Sequence, residues 1–131
     1  MSSPVKLDPK SALTLWHAVT LAGMARGQPD LTTRQMAVLL HIYLEPQPHT
    51  VRGLAATLDI SKPAVTRALD RLSHLGLVRR KKDEDDRRNV FVQRTVSGSV
   101  FLREFADVAT REAAALADGR KPAASEMPDA T

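Results

Sequence analysis

The stretch KKDEDDRRNVFVQRTVSG, residues 81–98, holds four basic and four acidic side chains in its first eight positions and then turns abruptly apolar. Short β-branched and aromatic segments, VRRKK and NVFVQRTV, flank the polar turn DEDDRR, which reads as a two-stranded hairpin with a long charged tip. The acidic cluster keeps the turn hydrated, and Arg87 and Arg88 stand where it rejoins the second strand. A lone hairpin is marginal in water, so the segments on either side must supply the core.

Immediately upstream, SKPAVTRALDRLSHLGL reads as a helix that Ser61 caps and Gly76 stops, with Val65, Leu69, Leu72 and Leu75 recurring at intervals of four and three. Before it, Thr50 caps a short helix, VRGLAATLD, in which Leu54, Ala55 and Leu58 share a face. The tight link Asp59-Ile60 makes the two a helix-turn-helix candidate. Farther upstream, LTTRQMAVLLHIYLEP carries a capping box between Thr32 and Gln35 and should end before Pro46.

The outermost segments are also helical. Asp8-Pro9 is a cap followed by Pro at the first helical position, and the helix should run to Gly27 with Leu13, Trp16, Thr20 and Met24 on one face. Downstream, SGSVFLREFADVATREAAALADG carries the stripe Leu102, Phe105, Ala109, Ala113 and Leu116, too long for one small core to cover. Such a stripe asks for a partner. The end RKPAASEMPDAT has the composition of a disordered tail.

At 131 residues, 43% hydrophobic and 26% charged, the chain suits a single core. Zero cysteines exclude a disulfide scaffold, a thiol switch and a cysteine nucleophile. No apolar run approaches the roughly 20 residues of a membrane helix, and no signal peptide is evident, so a cytoplasmic protein without membrane association is expected. The formal charge of +4 is concentrated. Residues 50–96 hold eleven Lys and Arg against six Asp and Glu, a balance of +5, and the remainder holds eight against nine, or −1. A basic surplus confined to one segment suits a surface that meets a polyanion, although a solvated basic face would have the same composition.

On the helix that begins at Lys62, 100° per residue gathers Val65, Ala68, Leu69 and Leu72 on one side. The opposite side shows Pro63, Thr66, Arg67, Asp70 and His74, flanked by Lys62 and Arg71. A helix fits the major groove of B-DNA, and the N-terminal residues of a reading helix meet base edges. Arg67 is the first candidate for a base contact, bidentate to guanine, with Thr66 and Pro63 beside it. Ser61 and Lys62 sit at the positive end of the helix dipole and suit a phosphate oxygen, and Thr50 and Arg71 complete the expected DNA-contacting set on this lobe. The competing reading is an ordinary amphipathic helix with a solvated face.

Residues 31–98 resemble the MarR family of winged-helix transcription regulators, whose wing commonly reads D-x-x-D-R-R followed by V-x-L-T-x-x-G. Asp83, Asp86, Arg87, Arg88, Val92, Thr95 and Gly98 stand at that spacing. The resemblance implies a mainly α fold with a small β-hairpin wing: a winged helix-turn-helix over 31–96, dimerisation helices over 8–27 and 98–118, one domain over 1–118 and a disordered tail over 119–131. It further implies a homodimer on a pseudo-palindromic double-stranded operator, with Arg87 and Arg88 in the adjacent minor groove. Two departures stand out. Arg94 replaces the family's Leu on the side of Val90 and Val92, so it should either leave the packed face or find a carboxylate, and the region after Gly98 is shorter than the family's two helices.

Family members commonly bind small aromatic or phenolic acids, and such an effector could meet Trp16, His17 and Arg26 on the first helix, although a lone Trp or His is more often core or interface. His17, His41, His49 and His74 lack the close pairing of a metal site, so neither a metal nor another cofactor is expected. The acidic residues crowd one exposed turn rather than a cleft, which argues against an enzyme. The expectation is a dimeric repressor, with a ligand-independent winged helix or a protein-interaction module as the alternatives.

Overall fold

The computed structural model describes residues 6–119; the expected disordered tail lies, from residue 120 on, outside the described residues. The described residues pack as two compact units, Pro29–Leu102 and a second made of residues 6–28 with 103–119.

The first unit begins with α2 in chain order, since α1 (Pro9–Ala22) belongs to the second. In α2 (Thr33–Leu44) the capping box is complete: Thr32 Oγ1 accepts from the Gln35 amide at 3.1 Å, and Gln35 Oε1 accepts from the Thr32 amide at 2.9 Å. Strand β1 (His49–Thr50) leads directly into α3 (Val51–Leu58), where Thr50 Oγ1 accepts from the Gly53 amide at 2.9 Å. Asp59 then takes a left-handed φ of 55°, a conformation that short Asp and Asn side chains tolerate, and turns the chain into α4 (Lys62–His74). Ser61 Oγ caps α4 by accepting from the Ala64 amide at 3.2 Å. At the far end Gly76, with φ 76°, closes a Schellman motif in which Leu77 N–H bonds the Leu72 carbonyl at 2.9 Å.

Strands β2 (Val78–Lys82) and β3 (Val90–Arg94) form the expected hairpin, and β1 joins it to give an antiparallel sheet of order β1-β3-β2. The third strand is invisible in the sequence because two residues show no alternation. The core is the meeting of α2, α3, α4 and this sheet: Val38, Leu39, Ile42, Leu54, Val65, Leu69, Leu72 and Val92 are all buried. Burying a side chain of this kind is worth about 1.5–3 kcal/mol.

A single tyrosine hydroxyl ties the hairpin to the helices. Tyr43 Oη donates to the Leu77 carbonyl at 2.7 Å and accepts from the Thr95 amide at 2.9 Å. Thr95 Oγ1 donates to the Gly76 carbonyl at 2.7 Å and accepts from the Gly98 amide at 3.0 Å, so it caps α5 (Val96–Ala117) two residues before the start expected from the sequence. At Gly98 an added Cβ would collide with Tyr43 Oη and the Leu77 carbonyl. The Thr-x-x-Gly spacing is therefore the geometry of this joint.

In the second unit Asp8 Oδ1 caps α1 by accepting from the Ser11 amide at 2.7 Å. The helix ends at Ala22, short of the expected Gly27. Gly23 begins a run of four-residue turns, with Met24 N–H on Leu21 O at 3.0 Å and Ala25 N–H on Ala22 O at 3.2 Å. Glycine costs helix stability, and a Cβ added at Gly23 would meet the ring of Phe105 at 3.4 Å. Gln28 Nε2 donates to Glu104 at 2.7 Å. Even so, Leu13, Trp16, Leu21 and Met24 remain exposed, and Phe105, Ala109, Ala113 and Leu116 of α5 are only half-buried.

Candidate nucleic-acid interface

The face of α4 divides as its period requires. Ala64, Val65, Ala68, Leu69 and Leu72 are buried, whereas Lys62, Pro63, Thr66, Arg67, Asp70, Arg71 and His74 are exposed. Among the described residues, Lys62, Arg67 and Arg71 have no ion-pair partner, so three cations stand unneutralised along one helix. Ser61 and Thr50 use their hydroxyl oxygens as acceptors for capping, which leaves each O–H proton available to an outside oxygen. Ser61 is exposed and Thr50 half-buried.

The wing tip is organised by its own carboxylates. Asp83 Oδ1 accepts from the Asp85 amide at 2.9 Å, and Asp83 Oδ2 lies 3.4 Å from Asn89 Nδ2. Asp86 Oδ1 accepts from the Arg88 amide at 3.1 Å and from Arg88 Nε at 3.2 Å. Arg88 is thus steered by Asp86 while 86% of its side-chain surface stays exposed, and Arg87 has no ion-pair partner among the described residues. The acids hold the loop first and an arginine second. An exposed pair of this sort adds little stability, so its use is orientation.

Four more cations, missing from the expected contact set, line the edge strand: Arg79, Arg80, Lys81 and Lys82 are all exposed. Arg80 Nη1 donates to Asp70 Oδ1 at 2.7 Å and so links β2 to the exposed face of α4. Strand alternation held the signal, because Arg80 shares a side with the buried Val78 and must lean toward the helices.

The buried surface of α2, α3 and α4 and the hairpin together form the fold that known regulators share, and the family model described as the MarR family matches residues 30–89. Over residues 30–89 the chain is similar to the MarR family in sequence. The chain is similar to the transcriptional regulator Tm0710 from Thermotoga maritima, with a TM-score of 0.69 and 22% identity over 84% of this chain and 75% of that one. It is similar to MarR itself at a TM-score of 0.62 and 26% identity, over 84% of this chain and 80% of that one. Reduced AbfR bound to DNA matches at a TM-score of 0.60 and 24% identity, over 76% of this chain and 71% of that one.

Against the MarR-family pattern, Arg94 does neither of the two things expected of it. It stays half-buried on the packed face, and its partners are carbonyls rather than a carboxylate: Nε donates to Ile42 O at 2.8 Å and Nη2 to Glu45 O at 2.8 Å. The residue four beyond Ile42 is Pro46, which has no N–H to give, so the Ile42 carbonyl has no helical partner of its own. Arg94 supplies the missing donor at the negative end of the α2 dipole, with its guanidinium 5.8 Å from the centre of the Tyr43 ring.

Trp16, His17 and Arg26 are all exposed, Trp16 at 71%. They take no part in the cleft of about 450 Å³ that lies within the MarR-type lobe, whose walls include His41, Glu45, His49, Thr50, Leu54 and Thr57. There the histidines are closer than the sequence suggests, because the turn after α2 brings the rings of His41 and His49 edge to face at 5.5 Å. His49 Nε2 is 3.0 Å from the Glu45 carbonyl. Among the described residues, no three His, Asp or Glu side chains converge as a metal site, and no helix is long and apolar enough to cross a membrane.

Proposed function

We propose that the chain is a DNA-binding transcriptional regulator that works as a homodimer on a pseudo-palindromic operator, each α4 in a major groove and each wing in the flanking minor groove. The observation that carries this reading is the exposed, unpaired cationic face of α4 on the same compact lobe as a wing whose Arg87 is free and whose Arg88 is held outward by Asp86. Arg67 reads a base, with Thr66 and Pro63 lining the same edge; Ser61, Lys62, Arg71 and Thr50 take phosphate oxygens. Support also comes from AbfR, a protein of the same fold that has been seen on DNA. The second copy is supported by the apolar residues of α1, Leu13, Trp16 and Leu21, which stay 42%, 71% and 50% exposed among the described residues. Two-fold symmetry places the half-sites about one helical turn apart, roughly 10 bp. Regulation is by repression, and a small aromatic or phenolic ligand at Trp16, His17 and Arg26 releases the operator.

Selection from random duplexes should return an inverted repeat. Replacing Arg67 and Arg87 together by Ala should abolish preference for that sequence and lower the salt slope. Unchanged binding by the double variant would remove the site assignment. A ligand-independent regulator is favoured by one observation, the exposure of all three candidate ligand residues. Titrating aromatic acids against the labelled operator separates the two, since only the ligand-released repressor loses its DNA.

A further inference from the structure

Asp70 presents a problem for the reading above. It is an acid 59% exposed in its side chain, on the same helix face as Arg67 and Arg71, where a polyanion would dock. Left alone it would repel phosphate. It is not alone, because Arg80 Nη1 reaches it from β2 at 2.7 Å, a short charge-assisted bond between two elements of one lobe.

The contact uses one arm only. A guanidinium carries five donors, and among the described residues those of Arg80 beyond Nη1 meet no acceptor. Its side chain is one-third exposed, at 33%, and its guanidinium lies beside Asp70, one turn along from Arg67. A surface tether of this kind contributes little to folding, and holding a long side chain costs rotamer entropy. What the pair does achieve is to fix the direction of a cation that would otherwise swing freely.

We propose that Arg80 is a phosphate-contacting residue and that Asp70 is the positioning residue which holds it, so that reading helix and wing grip the backbone through one linked pair. The inference rests on the DNA-binding reading above and adds a contact which that reading lacks. It makes a counter-intuitive demand on Asp70: removing a negative charge from the DNA-facing side must weaken binding, because the phosphate contact of Arg80 loosens with it. Simple electrostatics demands the opposite sign.

The test uses the full chain and the labelled duplex recovered by selection, with affinity measured by fluorescence anisotropy between 50 and 200 mM salt. Arg80→Ala should bind about tenfold more weakly and lose about one contact from the salt slope. Arg80→Lys, which keeps the charge and loses the fork, should keep the slope and bind at an intermediate strength. Asp70→Asn should bind roughly threefold more weakly, while the melting temperatures of all three stay within about 2 °C of the parent. If Asp70→Asn binds as well as the parent or better, or if Arg80→Ala leaves the slope unchanged, the pair is only a surface tether and the inference is overturned. If the parent chain itself binds no duplex, the functional reading falls, and this inference falls with it.

Discussion

Helices α4 and α1 are built on the same plan and end in opposite circumstances. Each opens with a side-chain cap followed by Pro in its first turn, and each carries an apolar stripe. In α4 the stripe is sealed, with Val65, Leu69 and Leu72 wholly buried. In α1 the stripe is open, with Leu13 at 42% and Trp16 at 71% exposure. Amphipathic spacing therefore says that a face will be covered without saying by what: α4 is covered from within its own lobe, whereas α1 stays partly open among the described residues.

The sharpest way to break that comparison is at its closed side. Leu69→Ala empties a wholly buried site, and chemical denaturation should show a loss of about 2–5 kcal/mol. A loss under about 1 kcal/mol would mean that the α4 stripe is less enclosed than the burial of Leu69 implies. Next comes Arg94→Leu, which restores the residue usual in the family. It should cost about 1–3 kcal/mol, because the Ile42 and Glu45 carbonyls lose a charged donor; a stabilised variant would refute the role given to Arg94. The smallest effect on the stability of the single chain belongs to Trp16→Ala, under about 0.5 kcal/mol, since the ring is already in water. Its consequence should surface in sedimentation instead, as weaker self-association by tenfold or more. Equal association by parent and variant would leave the open side of α1 without its proposed partner.

How much of this was legible in advance depended on range. The caps at Thr32, Thr50 and Ser61 lie where the sequence puts them, because a cap is a bond between residues three apart and needs nothing distant. The hairpin was legible for the same reason, and the exposed face of α4 followed from helical period alone. What escaped was long-range or very short. The strand His49–Thr50 has two residues and no pattern, and the meeting of His41 with His49 depends on how the chain turns at Pro46 and Pro48. Helix α1 stops at Ala22 rather than Gly27, in turns that follow Gly23.

Arg94 and Arg80 mark the limit most clearly. The sequence by itself determined that a capped, cationic helix and an arginine-tipped hairpin would form, since local bonds and the alternation of apolar positions specify both. Only the tertiary structure decided that Arg94 closes the carbonyl end of a helix some fifty residues away and that Arg80 takes hold of Asp70. The physical reason is that a guanidinium satisfies any well-placed oxygen, so which oxygen it meets is set by how the helices and the sheet pack, and that packing has no signature in neighbouring residues.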